Sequence, residues 1–276
     1  MLAGELGRFL DGGWIVGNGV SALDPAARRV AFVTAGAGAG IGSAIVRELA
    51  SENWDVVITD AHERRVGELA SELSAAFDRE FLGIHLDVTD YDAVGRAIAV
   101  AIEWRGGIDG LVNSAGWNKL EPLIEMSRET WQRTLDVDLT GSFNCMRQIL
   151  PVMINRGGGS VVNISSIAAW ETSTEHGAAY SAAKAGVLAL TRVAAAEVGQ
   201  YGIRVNAIAP GLIFNDFLTK VYPQEFFDGY AERRSRVGRV GRPEDVGALA
   251  AFLMGEKAGY ITGEVYGISG GVLPNA

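Results

Sequence analysis

The stretch "AAYSAAK", residues 178–184, sets a phenol and an ammonium four residues apart among small, helix-tolerant side chains. On a helix, positions four apart share a face, so Lys184 holds positive charge beside Tyr180. An ordinary tyrosine titrates near ~10, and a neighbouring cation favours the phenolate, drawing the hydroxyl toward the range where it exchanges protons at neutral pH. Tyr180 is thereby a candidate general acid or base. The spacing alone is common by chance, and its weight comes from a second element. "VVNISS" ends a β-branched run in Ser165 and Ser166, the latter 14 residues before Tyr180. At the carboxyl edge of a parallel sheet, where ligands collect, a serine hydroxyl can hydrogen-bond the substrate oxygen that the tyrosine protonates or deprotonates. Ser166 is read as that serine and its neighbour as a strand-end cap.

A second motif, "TAGAGAGIG" at 34–42, lies between an apolar strand pattern and a helical one. Gly36, Gly40 and Gly42, with Ile41 between the last two, let the chain turn sharply and bring backbone N–H groups and a helix N-terminus up to a diphosphate. A glycine loop by itself signals only a tight turn; the flanking strand and helix, and an acidic residue downstream, make it a dinucleotide site. That residue is Asp60, 18 positions beyond Gly42. A carboxylate there accepts hydrogen bonds from an adenosine ribose and repels a 2′-phosphate, which predicts NAD rather than NADP. Arg64 and Arg65 are the counter-signal and are read as solvated helix residues.

The elements that must position these groups alternate along the chain. "RVAFVTA" (29–35), "DVVIT" (55–59), "FLGIHLD" (81–87), "IDGLVNSA" (108–115), "SVVNIS" (160–165), "IRVNAIAP" (203–210) and "EVYGIS" (264–269) read as buried strands. Helical spacing covers 44–51, 64–77, 91–104, 128–154, 178–199 and 244–254, the last opened by Pro243, Glu244 and Asp245. Strand–helix alternation implies parallel pairing and right-handed crossovers, hence a single-domain, doubly wound parallel α/β sheet of about seven strands with helices on both faces. No linker divides residues 29–276, and residues 1–28 read as an N-terminal extension, flexible or partner-binding. The weaker periodicity of 212–241 suggests a lid over the site.

Composition narrows the function classes. A chain of 276 residues, 48% hydrophobic, can bury a large core, and no apolar run reaches the ~18 residues of a membrane span. A soluble, cytoplasmic protein is expected, with no membrane partner. The net charge of -9 argues against nucleic acid, and the single Cys145 against a disulfide framework or thiolate cluster. His62, His85 and His176 have no metal-ligand spacing, so no metal is expected; His176 reads as a helix-start histidine.

Taken in order, "GAGAGIG" at 36–42, Asp60, "DV" at 87–88, "NSAG" at 113–116, "NISS" at 163–166, "YSAAK" at 180–184, "APG" at 209–211, "GRVGRPEDV" at 238–246 and "ITGEVYGISGG" at 261–271 resemble the motifs of the short-chain dehydrogenase/reductase family over residues 29–276. The resemblance implies a Rossmann-type fold, an NAD(P)-dependent oxidoreductase and hydride transfer between a secondary alcohol carbon and nicotinamide. It implies that Asp87 and Val88 sit by the adenine and that Asn113, Ala115 and Gly116 support the cofactor. Pro210, Gly211 and Ile213 would border the nicotinamide, and Lys184 would also bind its ribose. A homotetramer is the family's implication too.

The chain departs from that pattern at Asp138 in "LDVDLTGSF", where the family has an asparagine that holds a relay water. Asp138 either keeps such a role or pairs with Lys184 and weakens its pull on Tyr180. Ala35 and Asn215 each stand where threonine is usual. For substrate, Trp117 and Trp170 suggest aromatic walls for a cyclic alcohol or ketone, and Glu171 and Glu175 could bind hydroxyls of a polyol, although solvated loop carboxylates are commoner. Three functions follow: an NAD-dependent alcohol dehydrogenase or ketoreductase; a dinucleotide-binding protein with weak or no turnover, supported by Asp138; and, least supported, a sugar-nucleotide epimerase.

Overall fold

The computed structural model describes residues 28–171, 176–215, 218 and 223–273. Seven parallel strands form one sheet in the order β3-β2-β1-β4-β5-β6-β7. They are β1 (Val30–Val33), β2 (Asp55–Asp60), β3 (Leu82–His85), β4 (Gly110–Asn113), β5 (Gly159–Ile164), β6 (Ile203–Pro210) and β7 (Val265–Ile268). After β3 the chain returns to the centre and starts β4 beside β1, with Phe32 opposite Leu111. Successive connections leave the carboxyl ends of β1 and β4 in opposite directions, and this reversal opens a crevice where ligands bind in doubly wound sheets.

The seven expected strands are all present: β1, β3, β4 and β7 are shorter than expected, β2 is one residue longer, β5 is shifted by one residue and β6 has its expected bounds. β1 is buried at every position, since helices cover both faces. Its side chains nonetheless alternate between two cores. Ala31 and Val33 pack with Ile45 and Leu49 of α1 (Ile41–Ser51), Leu69 and Leu73 of α2 (Glu63–Phe77) and Val246 and Leu253 of α8 (Pro243–Met254). Val30 and Phe32 pack with Val94 and Ile98 of α3 (Tyr91–Arg105), Ile149 and Met153 of α5 (Gly141–Arg156) and Val198 of α6 (Ala178–Val198). Each fully buried Phe, Leu or Ile contributes roughly 1.5–3 kcal/mol by leaving water. Only β3, at the edge, alternates half-buried with exposed residues.

The helices start where local chemistry permits. Asp90 caps α3 by accepting from Ala93 N at 2.9 Å, and Pro243 opens α8 while Asp245 accepts from Arg242 N at 2.7 Å. Three expectations change. α1 begins at Ile41, within the glycine motif, because Gly40 is already its cap and Gly42 falls in its first turn. The 128–154 helix is α4 (Arg128–Leu135), a π turn (Asp136–Thr140) and then α5. The 212–241 stretch contains α7 (Gln224–Arg233), which buries Phe227 and Tyr230. Residues 1–27 lie outside the described residues, as do Glu175 and parts of 216–222.

Candidate active site

A cleft of about 620 Å³ opens along the carboxyl ends of β1, β4, β5 and β6. One half is the glycine loop: Ala35, Gly38, Gly40, Ile41 and Gly42 all line it. Gly42 cannot be replaced without backbone movement, since a Cβ there would lie 2.1 Å from the Ala35 carbonyl oxygen. Ala35 itself adopts a left-handed φ of 49° to make this turn. At Gly38 and Gly40 a Cβ would meet nothing, so the backbone faces open space. α1 has no side-chain cap and no acidic residue in its first turn, which leaves its positive end for an anion. Asp60, 7% exposed, stands beside the loop, accepting from His62 N at 3.0 Å and Ala37 N at 3.3 Å. An uncapped helix end, an open glycine cradle and a carboxylate at the tip of β2 fit a nicotinamide dinucleotide. Arg64 is turned to Glu68 at 3.0 Å, both largely exposed.

The other half carries the candidate chemistry. The π turn closes with Gly141 N bonded to Asp136 O, one residue wider than an α turn. Within it, Asp138 is fully buried. Its Oδ1 accepts from Trp117 N at 2.7 Å, and its Oδ2 lies 3.2 Å from Lys184 Nζ. The ammonium donates to Ile164 O at 3.1 Å and stands 5.5 Å from the Tyr180 ring centre. Oδ2 takes no well-directed hydrogen bond, so this is an ion pair held by charge more than by geometry. Gly116 packs against it: a Cβ would lie 3.4 Å from Asp138 Oδ2 and 3.6 Å from Lys184 Nζ. Burial pushes the Asp138 carboxyl above the ordinary carboxylate range, opposed in part by the Lys184 charge and the Trp117 N–H. Burial pulls on Lys184 the other way, but the charges of Asp138 and Tyr180 outweigh it and leave the amine above its ordinary value. Of the two alternatives for Asp138, its pairing with Lys184 is the geometry present.

Both serines line the cleft but do different work. Ser165 Oγ donates to the Lys184 carbonyl at 2.8 Å, bracing α6 on β5. Ser166 Oγ accepts from Ala168 N at 3.1 Å, which fixes the oxygen and leaves its proton to be donated elsewhere. Ser166, Tyr180 and Lys184 thus share one cleft with the glycine loop, Pro210, Gly211 and Ile213. This arrangement can hold a carbonyl or hydroxyl oxygen between two O–H groups beside a fixed positive charge.

Other residues are placed differently from expectation. Trp170 does not line the cleft: Ser166 caps the short 3-10 turn Ile167–Ala169, which carries position 170 past the wall and leaves it 39% exposed. Glu171 lines the cleft instead, and His176, read as a helix-start residue, faces it with Nε2 3.2 Å from Glu171 Oε2. Trp117 does line the cleft, with the Arg133 guanidinium 4.7 Å over its ring. The Asn113 side chain points into the core, donating to Asn163 Oδ1 at 2.8 Å, while Ser114 and Gly116 face the cleft. The Val88 side chain is buried in the core, and Asp87 lines a separate shallow groove with His85 and Asp90, holding Thr89 N at 2.9 Å. Two contributors were not anticipated. The Thr34 hydroxyl accepts from Ser114 N at 2.9 Å and Ala115 N at 3.1 Å, shaping the β4 end. Arg234, inside the charged run "ERRSR", pairs with Glu171 at the cleft wall; nothing in that run singles it out from its neighbours.

A family model described as Enoyl-(Acyl carrier protein) reductase matches residues 36–273. The chain is 41% identical over 244 residues to the (5R,7aS)-5-hydroxy-7a-methyl-1-oxo-2,3,5,6,7,7a-hexahydro-1H-indene-carboxyl-CoA reductase of Mycobacterium tuberculosis, covering 87% of this chain and 92% of that one. It is 34% identical over 273 residues to dehydrogenase/reductase SDR family member 4 of Pongo abelii, covering 98% and 97%. The solved L-sorbose reductase of Gluconobacter frateurii, complexed with NADPH and L-sorbose, superposes with a TM-score of 0.85 at 29% identity, covering 91% of this chain and 98% of that one. Among the described residues no helix is long and apolar enough to cross a membrane.

Proposed function

The chain belongs to the short-chain dehydrogenase/reductase family and is an NAD(P)-dependent oxidoreductase of a carbonyl or alcohol; from that premise we propose that it interconverts a secondary alcohol and a cyclic or polyhydroxylated ketone with NAD, using Tyr180 as general acid and base. One observation carries this reading: Ser166, Tyr180 and Lys184 meet the glycine loop in a single cleft. When bound, the nicotinamide supplies or accepts the hydride at the carbonyl carbon. In reduction the Tyr180 hydroxyl gives its proton to the carbonyl oxygen, and in oxidation the phenolate takes it back. Ser166 donates to the same oxygen and fixes its position. Lys184, buried and charged, stabilises the phenolate while contributing to the nicotinamide ribose site. The loop from Gly36 to Gly42 would hold the diphosphate at the end of α1, and Pro210, Gly211 and Ile213 would border the nicotinamide.

Support for NAD comes from Asp60, whose carboxylate meets the loop at Ala37 N, while Arg64 is engaged by Glu68. The reading keeps 212–241 as a lid, anchored where Ile213 bridges Gly241. It also keeps a homotetramer, for which half-exposed Phe143 on α5 and Val193 on α6 offer apolar contact. The test is NADH and NADPH oxidation with a panel of cyclic ketones, sugars and ketone-bearing esters. Turnover with NADH favoured is the expected result; NADPH favoured overturns the cofactor assignment. A second reading, dinucleotide binding with little turnover, is favoured by the Asp138–Lys184 pair, which spends the lysine's charge on a carboxylate. Under that reading NADH binds, no ketone is reduced, and Asp138→Asn gains activity.

A further inference from the structure

The end of the cleft next to Tyr180 carries charge that the reaction itself does not use. Glu171 is buried to all but 10% of its side chain, in contact with the cleft. Its Oε1 pairs with the guanidinium of Arg234, just past the end of α7, and its Oε2 faces His176 Nε2 at 3.2 Å. The His176 ring stands 6.4 Å from the Tyr180 ring, so the pair lies about one side chain from where the reacting oxygen is held. Trp117, Leu120 and Phe226 line the same cleft, together with the polar Asn118 and Asn215. The cleft therefore has a candidate proton-handling group at Tyr180 and, near it, a positive charge that already has its counter-ion.

We propose that Glu171, held by Arg234, determines specificity: the substrate's distal end carries an uncharged polar group, a hydroxyl or an ester or thioester carbonyl, and a carboxylate is rejected. The proposal rests on the reaction assigned to Tyr180. A hydroxyl can donate to Glu171 and a carbonyl can accept from the Arg234 fork. A carboxylate meets Glu171 at close range in a partly desolvated site, where like charges repel by several kcal/mol in the reference cases. The single positive charge of Arg234 cannot neutralise two carboxylates.

The test compares ethyl 4-oxocyclohexanecarboxylate with 4-oxocyclohexanecarboxylate, as substrates by NADH oxidation and as ligands by calorimetry on the NADH-loaded protein. Wild type is expected to favour the ester by about tenfold or more in kcat/KM and in affinity. Glu171→Gln is expected to remove that preference, and Arg234→Gln, which strips the carboxylate of its partner, to widen it. A role in folding alone would move both variants the same way, and thermal melts report whether each is folded. Equal treatment of ester and acid by wild type, absence of binding by both, or the same change in both variants overturns the proposal. Binding that discriminates without turnover faults the assigned reaction and leaves this inference standing.

Discussion

The two walls of the cleft are held by different physics. The wall built on β4, β5 and α6 is a chain of buried polar contacts. Asn113 donates to Asn163 and Asn163 Nδ2 to Thr191 Oγ1 at 2.9 Å, Ser165 ties down the Lys184 carbonyl, and Lys184 is fixed between Ile164 O and Asp138. The opposite wall, from the loop after Trp117 and from α7, is more exposed. Leu120, Leu123 and Ile124 are exposed there, and the wall is drawn in by the Arg234–Glu171 pair and by Phe214 packed edge-on to Phe227 at 5.4 Å. The groups proposed to react sit where losing a partner strands a buried charge; Glu171 and Arg234 sit nearer solvent, with side chains 10% and 31% exposed.

The sharpest way to break this contrast is Tyr180→Phe. It should lower kcat by about 10²–10⁴-fold while NADH affinity, read by fluorescence titration, stays nearly unchanged. Undiminished turnover would place the chemistry elsewhere. Next comes Asp138→Ala, which leaves Lys184 buried and unpaired and should destabilise the protein by about 3–5 kcal/mol in urea unfolding. Asp138→Asn sharpens the same point through pH. Asp138 holds its proton more tightly folded than unfolded, so its contribution is full below the ordinary carboxylate range and is lost as pH rises through the folded value. Melting temperatures across that range should therefore fall more for wild type than for Asp138→Asn; parallel curves would show that the carboxylate does not titrate there. The smallest effect belongs to Arg47 and Glu72, an ion pair 2.6 Å apart whose side chains are 48% and 56% exposed. A double-mutant cycle on it should give a coupling of about 0.2–1 kcal/mol, reduced by salt. A value as large as that of the buried pair would show that burial does not set the strength of these ion pairs.

What the sequence revealed follows the same division. The seven strands were legible because burial on both faces demands continuous apolar runs, and the glycine loop, Ser166, Tyr180 and Lys184 because each depends on short-range spacing. The π turn was hidden, since residues 128–154 keep helical spacing on either side of it and one extra residue leaves no mark in composition. The outward position of Trp170 is not legible, because a 3-10 turn of three residues rotates the next side chain in a way that no periodicity reports. Arg234 pairs across a sequence separation of 63 residues, which a pattern of neighbouring residues does not encode.

The widened turn at Asp136–Thr140 makes this buried stretch sensitive to length rather than to residue type. An α-helix advances about 100° per residue, so one additional residue rotates the segment before it relative to the segment after it by roughly that angle. A single-residue deletion between 136 and 140 would return the chain to one uniform spiral. It would then swing either Arg128–Leu135 or the whole of α5 away from its neighbours, and with it the oxygen beneath Trp117. Loss of one codon, ordinarily harmless only in surface loops, is here more disruptive than most changes of side chain.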